Sequence, residues 1–133
     1  MDKKEQIYNI VGACMEVHNA LKSGLKEQVY QEALTYEFRD REIPFEREVY
    51  LPIQYKKYTL SQHYQMDFVC YGDCIVELKS AESIIPEHRN QLFTYMRLKN
   101  CQYGLLVNFG EASLHVERYR YDAVTDRIEG YSR

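Results

Sequence analysis

At 133 residues, 45% of them apolar, the chain has the size and composition of one domain around one core. A net charge of −3 and a pI near 5.8 lack the basic balance of high-affinity nonspecific nucleic-acid binders, although a local basic strip is compatible with both. No apolar run reaches the roughly eighteen residues that span a membrane, and the charged start MDKKEQIYN has no apolar stretch of the signal-peptide kind, so a cytoplasmic protein is expected.

The first element is a helix over residues 3–22, where Ile7, Ile10, Val11, Cys14, Val17 and Leu21 recur at helical spacing. Ser23-Gly24 reads as a left-handed stop. A second helix is predicted from about Lys26 to Arg41, with Glu27, Tyr30, Leu34 and Phe38 on one stripe. A glutamate heading an otherwise apolar stripe needs a reason; complementing the helix N-terminus is one, and a site is another.

Ile43-Pro44 breaks that helix. Phe45 to Ile53 reads as a strand with Pro52 marking an end or an edge, and Lys56-Lys57 as a turn. Tyr58 to Cys70 alternates clearly, with Tyr58, Leu60, Tyr64, Met66 and Phe68 on one face and Thr59, Ser61, His63, Gln65 and Asp67 on the other. Tyr71-Gly72-Asp73 is a turn, and Cys74 to Ser80 the next strand. Pro86 opens a helix running to about Asn100. Tyr103 to Phe109 is the nearly unbroken apolar run of a strand buried on both faces, and residues 113–121 form one more strand before a polar tail. No repeat, low-complexity tract or linker interrupts residues 1–133, which read as one domain.

The cysteines at 14, 70, 74 and 101 contain no CxxC pair, and the four histidines complete no zinc pattern. Small core residues are the expected role, ahead of a Cys70–Cys74 disulfide. The 13 tyrosines, with no tryptophan, suit cores and interfaces equally.

The two strands around Gly72 can be registered from their own side chains. A three-residue loop sets Cys70 against Cys74, Phe68 against Val76 and Met66 against Leu78 as an apolar face. Asp67 then stands across from Glu77, and Gln65 across from Lys79. A two-residue loop would mix polar and apolar groups on each face, so the pattern disfavours it. In the favoured register two carboxylates lie about 5 Å apart at their β-carbons, where like charges destabilise a sheet. A hard divalent cation such as Mg²⁺ turns that repulsion into a ligand pair. Lys79, on the face of Glu77, would hold a water or neutralise charge on a phosphate in the transition state. Taken alone, Glu77-x-Lys79 is more often a solvated strand face with a local ion pair.

The rest of the chain adds to this. Gly24-Leu-Lys-Glu27-Gln-Val-Tyr30, the hairpin, Ile75 to Ser80, His88 to Leu98 and Gly104-Leu-Leu-Val-Asn-Phe109 together resemble the GxxExxY proteins, a branch of the PD-(D/E)XK nuclease-like superfamily. The resemblance covers about Val17 to Phe109; Asn19-Ala-Leu-Lys-Ser-Gly24 departs from the commoner leucine-glycine-proline-glycine entry to the motif. It implies an α/β, restriction-endonuclease-like αβββαβ core, a mixed β-sheet flanked by helices, here with an extra N-terminal helix. Active members hydrolyse phosphodiester bonds of DNA or RNA with Mg²⁺ or Mn²⁺. Carried over, Asp67 and Glu77 resemble the metal-binding pair, Lys79 the motif lysine, and Glu27 the helix glutamate completing the metal shell. Gln91-Leu-Phe-Thr-Tyr95 is similar to the QxxxY motif of RecB-type nucleases, whose glutamine and tyrosine flank the site. Gln91, Tyr95 and His88 share one helical stripe; Tyr95 reads equally as core, His88 as a surface histidine, and His18 as a satisfied partner of the neighbouring helix. Leu92 and Met96 are core.

The resemblance therefore implies a metal-dependent nuclease acting through a metal-activated water. A noncatalytic protein- or nucleic-acid-interaction module on the same scaffold is the alternative, because fold alone does not establish activity. Hydrolysis of a smaller phosphate ester ranks last, since no Gly-rich phosphate loop is present. A homodimer is one way for a small acidic domain to assemble a full nucleic-acid groove.

Overall fold

The computed structural model describes residues 1–132. Helix α1 (Lys3–Leu21) is capped by Asp2, whose side chain accepts the Glu5 N–H at 2.8 Å. It stops at Lys22 (φ 63°), two residues before the expected stop; Gly24, at φ 104°, shapes the loop beyond. Then come α2 (Glu27–Asp40), β1 (Phe45–Tyr55), β2 (Tyr58–Cys70), β3 (Cys74–Lys79), α3 (Pro86–Lys99), β4 (Tyr103–Asn108), β5 (His115–Asp122) and β6 (Arg127–Tyr131).

The six strands form one sheet in chain order, antiparallel throughout except where the α3 crossover makes β3 and β4 parallel. From α2 to β4 the order is αβββαβ, with α1 added in front, as the sequence predicts. The polar tail departs from expectation: β6 pairs with β5 from Arg118↔Tyr131 to Asp122↔Arg127. Strand β1 also continues past Pro52 to Tyr55, because it is an edge strand where a missing N–H is tolerated.

Two cores sandwich the sheet. Ile10, Cys14, Tyr30, Leu34 and Phe38 of α1 and α2 pack with Phe68, Val76, Leu78, Leu105 and Val107 on one face. Leu92, Tyr95 and Met96 of α3 pack with Leu51, Met66, Val69, Ile75 and Leu106 on the other. All four cysteines are free and buried in these cores. Helix α3 is fastened to β5 by a two-pronged ion pair in which Arg89 donates to both oxygens of Glu117, at 2.7 and 2.8 Å. His115 and the Tyr119 hydroxyl also bond that carboxylate, and the Arg89 bonds in particular hold its pKa down to about 2.

One irregularity matters for function. In an unbroken strand, Phe45, Val49 and Leu51 would share a face; instead Phe45 packs on the α1–α2 side and Val49 and Leu51 on the α3 side. Between them Glu48 takes a left-handed backbone, φ 54°, which turns the strand over. Its neighbour β2 turns over too, at Asp67, with Phe68 and Cys70 on one side and Met66 on the other. The apolar face expected to contain both Met66 and Phe68 is thus divided between the two cores. A glutamate held in the left-handed region costs about 1–2 kcal/mol. Glu48→Gly should therefore stabilise the fold by up to about 1 kcal/mol in urea unfolding, and Glu48→Val should destabilise it by about 1–2 kcal/mol. Equal midpoints for the two variants would show that the twist is not held at this residue.

Candidate functional site

The β2–β3 ladder runs Cys70↔Cys74, Val69↔Ile75, Phe68↔Val76, as the three-residue loop requires. There the paired backbone stops and side chains take over. The Asp67 N–H donates to Glu77 Oε1 at 2.8 Å, and the Leu78 N–H donates to Asp67 Oδ2 at 2.8 Å. Each carboxylate thus occupies a place that a backbone carbonyl would fill in a continued ladder. The twist at Glu48 and Asp67 makes this geometry, since it swings Asp67 from a sheet face into the gap between strands. The expected pairs Met66–Leu78 and Gln65–Lys79 do not form, because the ladder ends before them and Met66 and Leu78 lie in opposite cores.

The two carboxylates are poorly solvated. Glu77 is only 4% exposed, and burial, followed by the charge of Asp67, pushes its pKa well above the ordinary carboxylate value. Burial also raises Asp67, against the opposing bond from the Leu78 N–H. Lys79, at the end of β3, donates from Nζ to Gln91 Oε1 of α3 at 2.8 Å. Its ammonium opposes the upward shift of Asp67, Glu77 and Glu27.

Gln91 and Tyr95 both reach the site from α3. Tyr95 is buried, and burial together with the charges of Glu77 and Asp67 raises its hydroxyl to about 12. Its ring packs on Tyr64 of β2 at 5.4 Å between centroids, so it serves core and site at once. His88 does not join them: its Nδ1 accepts the Ile85 N–H at 3.2 Å and caps α3. His18 is satisfied not by a neighbouring helix but by the Glu111 carbonyl, at 2.9 Å.

Glu27 opens α2, half-buried, its pKa raised by burial and then by Asp67. It shares the field of the pair without touching it. Among the described residues no three Asp, Glu, His or Cys side chains are grouped so as to hold a metal ion. What the structure brings together is the pair Asp67 and Glu77, with Glu27 apart. This donor set still fits a hard divalent cation, since Mg²⁺ commonly takes one or two carboxylates and keeps several waters. The crowding of two desolvated carboxylates, each driven toward protonation, is the chemical demand such an ion would meet.

Other residues were not legible as site residues. Gln31, buried in α2, donates to Asp67 Oδ1 at 3.4 Å and accepts from Arg47 of β1 at 3.2 Å; its only signal was a polar residue one position past the apolar stripe. Tyr30 stacks on Phe109 at 4.7 Å, donates from its hydroxyl to the Lys22 carbonyl at 2.5 Å and accepts the Leu25 N–H at 3.2 Å. That clamp fixes the loop through Gly24 and hence where α2 presents Glu27. Asn108, fully buried at the end of β4, bonds both the N–H and the carbonyl of Ala81 at 3.0 Å. Gly110 leaves room for this, because a Cβ there would sit 2.2 Å from the Ala81 carbonyl oxygen. Ser80 donates to the Leu25 carbonyl at 2.7 Å, tying the chain after Lys79 to the loop before Glu27.

The raised carboxylates make a stability prediction. Folded protein retains protons that the unfolded chain releases above the ordinary carboxylate range, so without metal its stability falls as pH rises from that range toward neutrality. Glu77→Gln keeps an oxygen for the Asp67 N–H and removes the charge. Each pKa unit relieved is about 1.4 kcal/mol, so melting in chelator at pH 7 should shift up by several degrees and lose part of its pH slope. An unchanged melting temperature and slope would mean that the pair is not electrostatically strained.

A family model described as the PD-(D/E)XK nuclease superfamily matches residues 4–121. No curated protein and no solved structure gives a significant match. No helix among the described residues is long and apolar enough to cross a membrane. With nearly all of its sheet and its three helices inside the match, the chain belongs to the PD-(D/E)XK nuclease superfamily.

Proposed function

We propose that the chain is a divalent-metal-dependent nuclease that hydrolyses phosphodiester bonds of DNA or RNA. The observation that carries this is the pair of half-buried Asp67 and buried Glu77, set where β2 parts from β3, with the Lys79 ammonium tethered beside it by Gln91. Asp67 and Glu77 would hold Mg²⁺ or Mn²⁺ in place of the protons that their environment favours. Bound there, the ion would supply Lewis-acid polarisation of a phosphoryl oxygen and a water acidic enough to attack at neutral pH.

The chain's own groups do the rest. Gln91 accepts one of the three Lys79 protons, which aims the ammonium and leaves two donors for the oxygens of the scissile phosphate. Those donors matter most as charge gathers on these oxygens in the transition state. Glu27, whose pKa burial and then the charge of Asp67 raise, would orient water from the α2 side. Tyr95 backs the site and keeps it dry. Attack by water on phosphorus forms a new oxygen–phosphorus bond as the water gives up a proton to solvent; the bond to the leaving oxygen breaks, and that oxygen takes a proton from solvent. The roles of Gly24, Glu27 and Tyr30 in one loop and helix start support placing the chain in the GxxExxY branch.

The test is a panel of single- and double-stranded DNA and RNA with Mg²⁺ or Mn²⁺, with Lys79→Ala as control. Cleavage should fall about 10²–10³-fold in the variant, as for loss of one transition-state donor, while its circular dichroism shows the fold intact. No cutting by the wild type on any substrate, or equal cutting by the variant, would overturn the mechanism. Calorimetry with Mn²⁺ adds a second readout: without heat dependent on Asp67, the fold would instead be a noncatalytic interaction module.

A further inference from the structure

Strands β1 and β2 extend well past the body of the protein. Every residue from Gln54 to Gln65 is exposed, although all of them except the Lys56-Lys57 turn lie in strands. From Asp67 to the turn is ten residues, on the order of 30 Å at the rise of a strand. This projecting hairpin carries Tyr50, Tyr55, Tyr58 and Tyr64, each 41–57% exposed. In a chain of net charge −3, residues 50–65 contain no aspartate or glutamate, and their only charged side chains are Lys56 and Lys57 at the turn.

From this hairpin we infer that β1 and β2 form an arm that grips single-stranded nucleic acid and leads it to the site at their base. The inference rests on the nuclease reading and deepens it by naming the substrate form. Exposed tyrosines spaced along a ribbon give what unpaired bases need, a series of flat faces to stack on. The two lysines are too few to neutralise a duplex, whose tight binding takes many phosphate contacts. Each lysine also reaches over a neighbouring ring, Lys56 over Tyr55 and Lys57 over Tyr58, both 5.4 Å from the centroid. Ring and cation are thereby presented together, as a nucleotide presents base and phosphate. At the other end Tyr64 packs on Tyr95, which stands beside the carboxylate site. Tyr50 is buttressed across the ribbon by His63, at 4.6 Å.

The experiment is fluorescence anisotropy in chelator, with full-length protein and oligonucleotides of about 15 nucleotides, long enough to follow the arm. Oligo-dT, oligo-U and a DNA duplex are compared. Single strands should bind better than the duplex, with the two polymers showing whether the sugar matters. Tyr55→Ala/Tyr58→Ala should weaken single-strand binding about tenfold or more, and Tyr55→Phe/Tyr58→Phe, which keeps both rings, should restore it. Lys56→Ala/Lys57→Ala should flatten the salt dependence by about one unit of slope or slightly more. Unchanged binding by the Tyr→Ala pair, preference for the duplex, or loss of self-association in light scattering instead of loss of binding would overturn the arm; the last would mark an interface between copies. Because binding is read without metal, the two readings separate. A cutting enzyme indifferent to the tyrosines defeats the arm alone. An inert protein whose tyrosines still grip single strands defeats the nuclease alone.

Discussion

Two carboxylates, Asp67 and Glu77, are held where β2 and β3 cease to pair, and much of the surrounding architecture serves to keep them there. Taking a carboxylate out of water costs several kcal/mol, and a second one alongside adds repulsion. A fold selected only for stability would fill the gap with backbone carbonyls and apolar side chains. Here the Asp67 and Leu78 amides are instead satisfied by carboxylate oxygens, so the hydrogen bonds are kept while the charges remain. The local conflict is therefore stable as structure and unsatisfied as electrostatics, and the proposed cation would relieve it.

Holding that condition requires support from both faces of the sheet. On one side Gln31 reaches Asp67, and Tyr30 fixes the loop that starts α2. On the other Gln91 restrains Lys79, and α3, which carries Gln91, is pinned to β5 through Arg89 and Glu117. The ends of β3 and β4 are tied to the loops through Ser80, Asn108 and Gly110. None of these contacts supplies chemistry. Each removes a freedom through which the strand end carrying Lys79, or the helix carrying Glu27, would drift from the pair.

The sequence made the order of elements and the register of the β2–β3 turn legible because both follow from the hydrophobic pattern. Cys70, Phe68 and Val76 admit only one loop length that keeps them together. The pattern failed at Glu48, since an exposed glutamate carries no sign that its backbone will turn left-handed. The turn-over there puts Val49 and Leu51 in the other core from Phe45, and the matching turn-over at Asp67 does the same to Met66, which alternation alone assigns to the face of Phe68. Strand β6 was hidden for another reason: Arg127 to Tyr131 is an exposed edge, so its composition is that of a tail. Glu27 shows the limit of a motif, because spacing gives its helix stripe while where α2 presents it depends on the Tyr30 clamp and the loop through Gly24.

The chain's acidity, at first sight an argument against nucleic acid, fits the proposed division of the work. On the proposed reading, Asp67, Glu77 and Glu27 concentrate carboxylates where a cation would bind, and whatever charge they carry in the bare protein repels an approaching phosphate backbone. Spreading lysines around the site would ease the repulsion but would also neutralise the pair that the cation needs. Separating the tasks in space avoids this: the carboxylates lie at the base of β2, while the residues suited to bases lie along the part of the hairpin that has no carboxylates. Stacking on tyrosine adds attraction without adding charge. An acidic protein can therefore hold nucleic acid near an acidic site, provided the grip is aromatic and begins several nucleotides away.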